Sequence, residues 1–238
     1  MRLLIINPNT SAHVTRALGE HIAPMLGQGW QLDCVTARFG AAYIASEAAY
    51  AIAAHAVLDA WSSQGGSYDA ILIGCFGDPG LEALRELAGC PVIGLAEAAM
   101  QEAAKAGRFA IVTGGARWAP ILQRRAAAAG LQDQLAGLLV LSESGAELLA
   151  DPARALTRLE GAARQVRSES GAESVIIGGA ALAGMGEALA RRLPFAVIDN
   201  VSAAARAIRT AASRPAPAGP DGAGYHGLSP ELLARLQA

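Results

Sequence analysis

The sequence predicts an α/β fold of two pseudo-twofold-related lobes, each a mostly parallel sheet flanked by helices, with the active site in the cleft between them. Three observations support this. Short apolar, largely β-branched runs alternate with longer Ala-rich stretches of helical period along nearly the whole chain, as parallel sheets with crossover helices require. The pattern then restarts: Ile111-Val112-Thr113-Gly114-Gly115 echoes Ile5-Ile6-Asn7-Pro8-Asn9, 106 residues earlier, and Val175-Ile176-Ile177-Gly178-Gly179 echoes Ile71-Leu72-Ile73-Gly74-Cys75, 104 residues earlier. Finally, both members of the second pair lead through a helix to a Pro-led strand, at 91–94 and 194–198.

In chain order, residues 2–7 read as the first strand, and Ser11 is placed to cap a helix to about residue 27. A second strand covers 30–37. A long Ala-rich helix spans 43–63, closed by Gly65-Gly66, and the next strand runs up to Cys75. Asp78 and Pro79 suit the N-cap and first turn of a short helix to residue 88. The strand 91–94 and a helix over 96–106 complete the first lobe and lead to the strand 109–113 of the second. The expected division is 1–96 for lobe 1, 97–207 for lobe 2, and 208–238 packing back on lobe 1. Within that last segment 214–224, rich in Pro, Ala and Gly, reads as a linker or wrapping tail, and 228–236 as a helix capped by Ser229.

The 238 residues and 53% hydrophobic content are enough for a large core, and a net charge of −2 provides no basic field for nucleic acid. No apolar stretch of about 20 residues is free of polar breaks, so no membrane partner is expected. Three cysteines, Cys34, Cys75 and Cys90, have neither disulfide-framework nor zinc spacing, which points to a reducing, cytoplasmic setting. The histidines show no metal spacing. Gly178 to Gly186 lacks the Lys-Ser/Thr of a phosphate loop, so neither metal nor nucleotide cofactor is expected.

Cys75 is the candidate for chemistry, because it ends a buried strand, where α/β proteins place their sites. A helix beginning at Asp78 would lower its thiol from the usual value of about 8.5. Backbone N–H groups at Asn9, Thr10, Phe76, Gly77, Gly114 and Gly115 are candidate cradles for a carboxylate or an enolate oxygen. Asn9 and Thr113 are equally suited to shaping turns or to bonding a ligand. The duplication pairs Cys75 with Gly179, so only one side of the cleft carries an ionisable group, and Gly179 is expected to leave a small void.

Ile5-Ile6-Asn7-Pro8-Asn9-Thr10-Ser11, Cys75-Phe76-Gly77-Asp78-Pro79-Gly80, Pro91-Val92-Ile93-Gly94, Val112-Thr113 and Gly227-Leu228-Ser229-Pro230 together resemble the hydantoin and allantoin racemase branch of the Asp/Glu racemase superfamily. The resemblance implies a cofactor-independent enzyme, two cysteines on opposite faces of the substrate's α-carbon, and Tyr43 near the substrate. Here the second cysteine motif appears as Gly178-Gly179-Ala180-Ala181. The expectation is thiol acid/base proton transfer α to a carbonyl by Cys75 alone. Asn9, Thr10, Tyr43, Phe76, Gly77, Thr113, Gly114, Gly179 and Ala180 would then contact a carboxylate or hydantoin-like substrate in what is expected to be a homo-oligomer. One-cysteine arylmalonate decarboxylases, which are similar to these racemases, suggest an alternative decarboxylase or isomerase with Cys75 as proton donor. A degenerate carboxylate-binding homologue is a third reading.

Overall fold

The computed structural model describes residues 1–211 and 223–237. Strands β1 (Arg2–Asn7), β2 (Gln31–Thr36), β3 (Ala70–Ile73) and β4 (Val92–Gly94) form a parallel sheet in the order β2-β1-β3-β4. Strands β5 (Phe109–Gly114), β6 (Leu135–Leu141), β7 (Ser174–Gly178) and β8 (Ala196–Asp199) repeat it as β6-β5-β7-β8. The registers repeat too. Ile73 lies beside Ile6 and Gly94 in the first sheet, and Ile177 lies beside Val112 and Asp199 in the second. Cys75 and Gly179 therefore each stand two residues beyond the same rung of their sheet.

The helices are α1 (Ala12–Leu26), α2 (Glu47–Ser62), α3 (Leu81–Leu87), α4 (Leu95–Ala104), α5 (Ala119–Ala128), α6 (Gly145–Ala150), α7 (Pro152–Ser170), α8 (Met185–Ala190), α9 (Asn200–Thr210) and α10 (Pro230–Leu236). Helices cover both faces of the central strands, so Leu3 to Ile6 and Val175 to Ile177 are fully buried and read as unbroken apolar runs. One core cluster spans both halves. In it Ala96, Ala99 and Ala103 of α4 meet Val201, Ala204 and Ile208 of α9, with α1 also packed on α9. The small side chains let α4 and α9 approach closely, which joins the two sheets through a shared interior. At the C-terminus Ser229 caps α10 through Leu232 N–H at 3.4 Å, and α10 lies on α2 with Arg235 over the Trp61 ring. Residues 214–222 of the expected linker lie outside the described residues.

Local expectations fail in three places. The long second helix begins at Glu47 and not at 43, because Ser46 is its cap and accepts from Ala49 N–H at 3.2 Å; Tyr43 precedes it in a loop. Ser11 stands at the N-cap of α1 but does not cap it through its side chain, since its hydroxyl donates to the Ala42 carbonyl at 2.6 Å. Asp78 does not cap α3. That helix starts at Leu81 after Gly80, and Asp78 takes the left-handed conformation with φ of 55°.

Candidate active site

The C-terminal ends of β1, β3, β5 and β7 converge on a cavity of about 50 Å³. Asn9, Tyr43, Cys75 and Phe76 line it from the first half of the chain, and Thr113, Gly114, Gly179 and Ala180 from the second. Two expected contacts are not among its walls. Thr10 is exposed, and its N–H donates to the Ala41 carbonyl at 3.1 Å. Gly77 turns away to receive the Tyr50 hydroxyl on its carbonyl at 2.9 Å, and a methyl there would stand 2.5 Å from Trp118 Cζ3. Sequence reasoning missed the apolar walls formed by Val14, Ile44, Trp118 and Leu182. The glycines carried part of that signal: Gly178 is bare because a methyl would stand 2.1 Å from Phe76 Cε1, a ring reaching across from the other lobe.

Cys75 is 6% exposed and sits on a tight turn in which Gly77 and Asp78 N–H both donate to its carbonyl, at 2.9 and 3.1 Å. Burial, with Asp78 beside it, pushes its thiol well above the ordinary value. The expected lowering by a helix N-terminus is thus reversed. The helix after the turn starts six residues beyond Cys75, and the charged group that acts on the thiol, Asp78, is acidic. Burial thus disfavours the thiolate form.

Opposite, Gly179 has φ of 137°, a conformation that L side chains rarely adopt, whereas Asp78 is the single non-glycine with positive φ among the described residues. Gly179 therefore differs from Cys75 in backbone as well as in side chain. Gly179 lines the same cavity as Cys75, and a methyl on it would lie 3.4 Å from Leu182 Cγ, an ordinary contact, so there is room there for a Cβ.

Of the expected N–H donors, four are already engaged. Asn9 donates to its neighbour's Asn7 Oδ1 at 3.2 Å, Gly115 to Leu141 O at 3.0 Å, and Thr10 and Gly77 as described. Phe76 N–H keeps no acceptor among the described residues, and Cys75, Gly179 and Ala180 N–H are in the same position at the two strand ends. Asn9 adds a further donor. Its Oδ1 accepts from Asn7 Nδ2 at 2.9 Å and from Ser11 N–H at 2.9 Å, which turns the Asn9 Nδ2 toward other partners at the cavity wall. Asn7 is itself held by Thr15 Oγ1 at 3.0 Å, which bonds Thr36 Oγ1 at 2.6 Å, so the amide orientation is set by a buried network. Tyr43 closes the wall between lobes: its hydroxyl donates to Gly114 O at 3.3 Å and accepts from Gly145 N–H at 3.2 Å.

Asp78 is fully buried, and its carboxylate accepts from Ala96 N–H at 2.9 Å and Glu97 N–H at 2.8 Å, the first turn of α4. Burial pushes it up to about 7 against the pull of those two N–H groups and of Arg125. Arg125 of α5 is buried in turn and paired with Glu82. Among the described residues no three His, Cys, Asp or Glu side chains gather as a metal site, and no helix is long and apolar enough to cross a membrane.

Two sheets of identical strand order around one cavity that holds a strand-end thiol define the class of two-lobed α/β racemases and isomerases. The chain belongs to the Asp/Glu/hydantoin racemase family, whose profile matches residues 3–208. It is 32% identical over 209 residues to a hydantoin racemase of Paenarthrobacter aurescens, covering 87% of this chain and 89% of that one. The structure of an allantoin racemase from Klebsiella pneumoniae is 34% identical with a TM-score of 0.81, covering 88% of this chain and 86% of the other. A variant of arylmalonate decarboxylase, 18% identical with a TM-score of 0.60 over 90% of this chain and 97% of its own, shares the fold alone.

Proposed function

We propose that this protein moves a proton at a carbon α to a carbonyl, on one face of the substrate, with Cys75 as its single thiol acid/base and no cofactor. The observation that carries this reading is the pairing of a buried Cys75 thiol with Gly179 at the repeated strand end, a position from which the second half of the chain brings no side chain to the cavity. Inversion needs proton exchange on both faces, and Cys75 is the single thiol among the described residues lining the cavity. The substrate is an uncharged ring of the hydantoin type. None of the described residues lining the cavity carries a formal charge, and donors such as Asn9 Nδ2 and Phe76 N–H match a carbonyl whose oxygen gains charge as the proton leaves. Relatives that racemise hydantoins and allantoin support the same ring chemistry.

In the forward step Cys75, once its own proton has passed to solvent, takes the α-proton as a thiolate while N–H donors hold the enolate oxygen; the S–H so formed exchanges with solvent while the enolate is bound and then returns a proton to the same face. A second reading is decarboxylation with Cys75 as proton donor, which the burial of Cys75 beside Asp78 favours by raising its thiol toward the protonated form that a donor needs.

The test is incubation of single enantiomers of 5-substituted hydantoins, and of arylmalonates, in deuterium oxide. One-faced exchange gives α-deuterium with retained configuration in one enantiomer. Full racemisation at the rate of exchange would overturn the one-faced reading, and deuterated monoacid with release of carbon dioxide would establish the second. Turnover undiminished in Cys75→Ser would sink both.

A further inference from the structure

We propose that Asp78 is the positioning residue for Cys75, tying the thiol-bearing turn to the first turn of α4. This rests on Cys75 as the reacting group.

The geometry is unusual for a helix cap. A helix leaves its first N–H groups unpaired, and the N-cap side chain normally accepts from the second or third of them. The N-cap of α4 is Gly94, which has no side chain. The two N–H groups are instead satisfied by a carboxylate arriving from the Cys75 turn, on Ala96 and Glu97. Space is reserved for it, since a methyl on Gly94 would lie 2.3 Å from Asp78 Cγ. Reaching this position holds Asp78 at φ of 55°, and its own N–H closes the turn on the Cys75 carbonyl at 3.1 Å. Such a conformation in a non-glycine residue persists only where its surroundings impose it.

The second lobe makes the same tie with the carboxylate moved. Asp199, which holds the register position of Gly94, caps α9 through Val201 and Ser202 N–H, both at 3.0 Å. Its other oxygen accepts from Gly184 and Gly186 N–H at 3.0 and 3.1 Å, in the segment that follows Gly179. In each lobe one buried carboxylate joins the strand-end loop to the next helix. In lobe 1 it is delivered by the loop itself, three residues from the thiol, so the bond that caps the helix also fixes where Sγ stands.

The two roles separate in a swap. Asp78→Gly removes both. Adding Gly94→Asp places a carboxylate at the N-cap of α4, as Asp199 does for α9, and restores the helix cap without the link to the turn. Three readouts are compared: melting temperature, turnover of the substrate found above, and the rate of Cys75 alkylation by iodoacetamide, followed on the Cys75 peptide so that Cys34 and Cys90 do not interfere. The expectation is that Asp78→Gly melts lower, and that the double variant regains the parental melting temperature. In that variant Cys75 alkylation stays several-fold faster than in the parent, and kcat stays about 10- to 100-fold down with KM within about twofold, the span that one or two lost charge-assisted bonds implies. Return of alkylation rate and kcat to parental values together with stability would overturn the proposal and leave Asp78 a helix cap only. The alkylation arm decides the question even if no Cys75-dependent turnover is found, an outcome that would instead count against the proposed function.

Discussion

Returning a second thiol by Gly179→Cys is the most direct perturbation of this site, and the backbone sets its outcome. The added Cβ is sterically acceptable, at ordinary contact distance from Leu182 Cγ, so crowding is not the obstacle. The obstacle is φ of 137° at Gly179, in a region where an L side chain costs about 1–3 kcal/mol. At roughly 2–4 °C per kcal/mol for a chain of this size, Gly179→Cys should melt about 2–12 °C below the parent. Gly179→Ala, which carries the Cβ without the thiol, should lose the same amount. Each 1.4 kcal/mol of strain withholds about tenfold of the productive population, so about 1–3 kcal/mol should leave exchange on the second face detectable but at roughly a fifth to a hundredth or less of the Cys75-face rate. Thermal melts followed by circular dichroism, and α-deuterium exchange resolved by chiral chromatography, measure the two quantities. A Gly179→Cys protein that melts within about 1 °C of the parent and racemises as fast as the parent exchanges would refute the argument that Gly179 is held in a glycine-only conformation.

Three further outcomes follow from the geometry. If Cys75 acts as a base, exchange should rise with pH from neutral into the alkaline range because burial and Asp78 raise the thiol, whereas a proton-donor mechanism should run flat through neutrality; a pH–rate profile separates them. Asp78, pushed up to about 7 when folded from about 4 when unfolded, makes folding take up a proton between those values, so its contribution to stability falls as pH rises through that window; Asp78→Asn should flatten the slope of melting temperature against pH from 4 to 7. Gly77→Ala should destabilise by about 1–3 kcal/mol through overpacking, because the methyl meets Trp118 Cζ3 at 2.5 Å, a loss read from urea unfolding.

The double sheet was legible because its central strands are buried on both faces, so that Leu3 to Ile6 and Val175 to Ile177 stand out as apolar runs at any register. The pairing of Cys75 with Gly179 was legible because duplication made one half a ruler for the other. What escaped depends on contacts between distant residues. Asp78-Pro79 reads locally as a helix start, and nothing nearby tells that the carboxylate is taken by N–H groups at Ala96 and Glu97. The start of α2 was misplaced because Tyr43, Ile44 and Ala45 extend the apolar pattern, while the Ser46 bond to Ala49 N–H sets the boundary. Trp118 and Leu182 look like ordinary core residues in sequence, and only the fold brings them to the cavity beside Gly179.

Tyr43 lies in lobe 1, yet its hydroxyl is spent on the Gly114 carbonyl and the Gly145 N–H of lobe 2. One phenol carries both of these bonds, so Tyr43→Phe would untie the two halves at this wall while leaving every other lining group of the cavity in place.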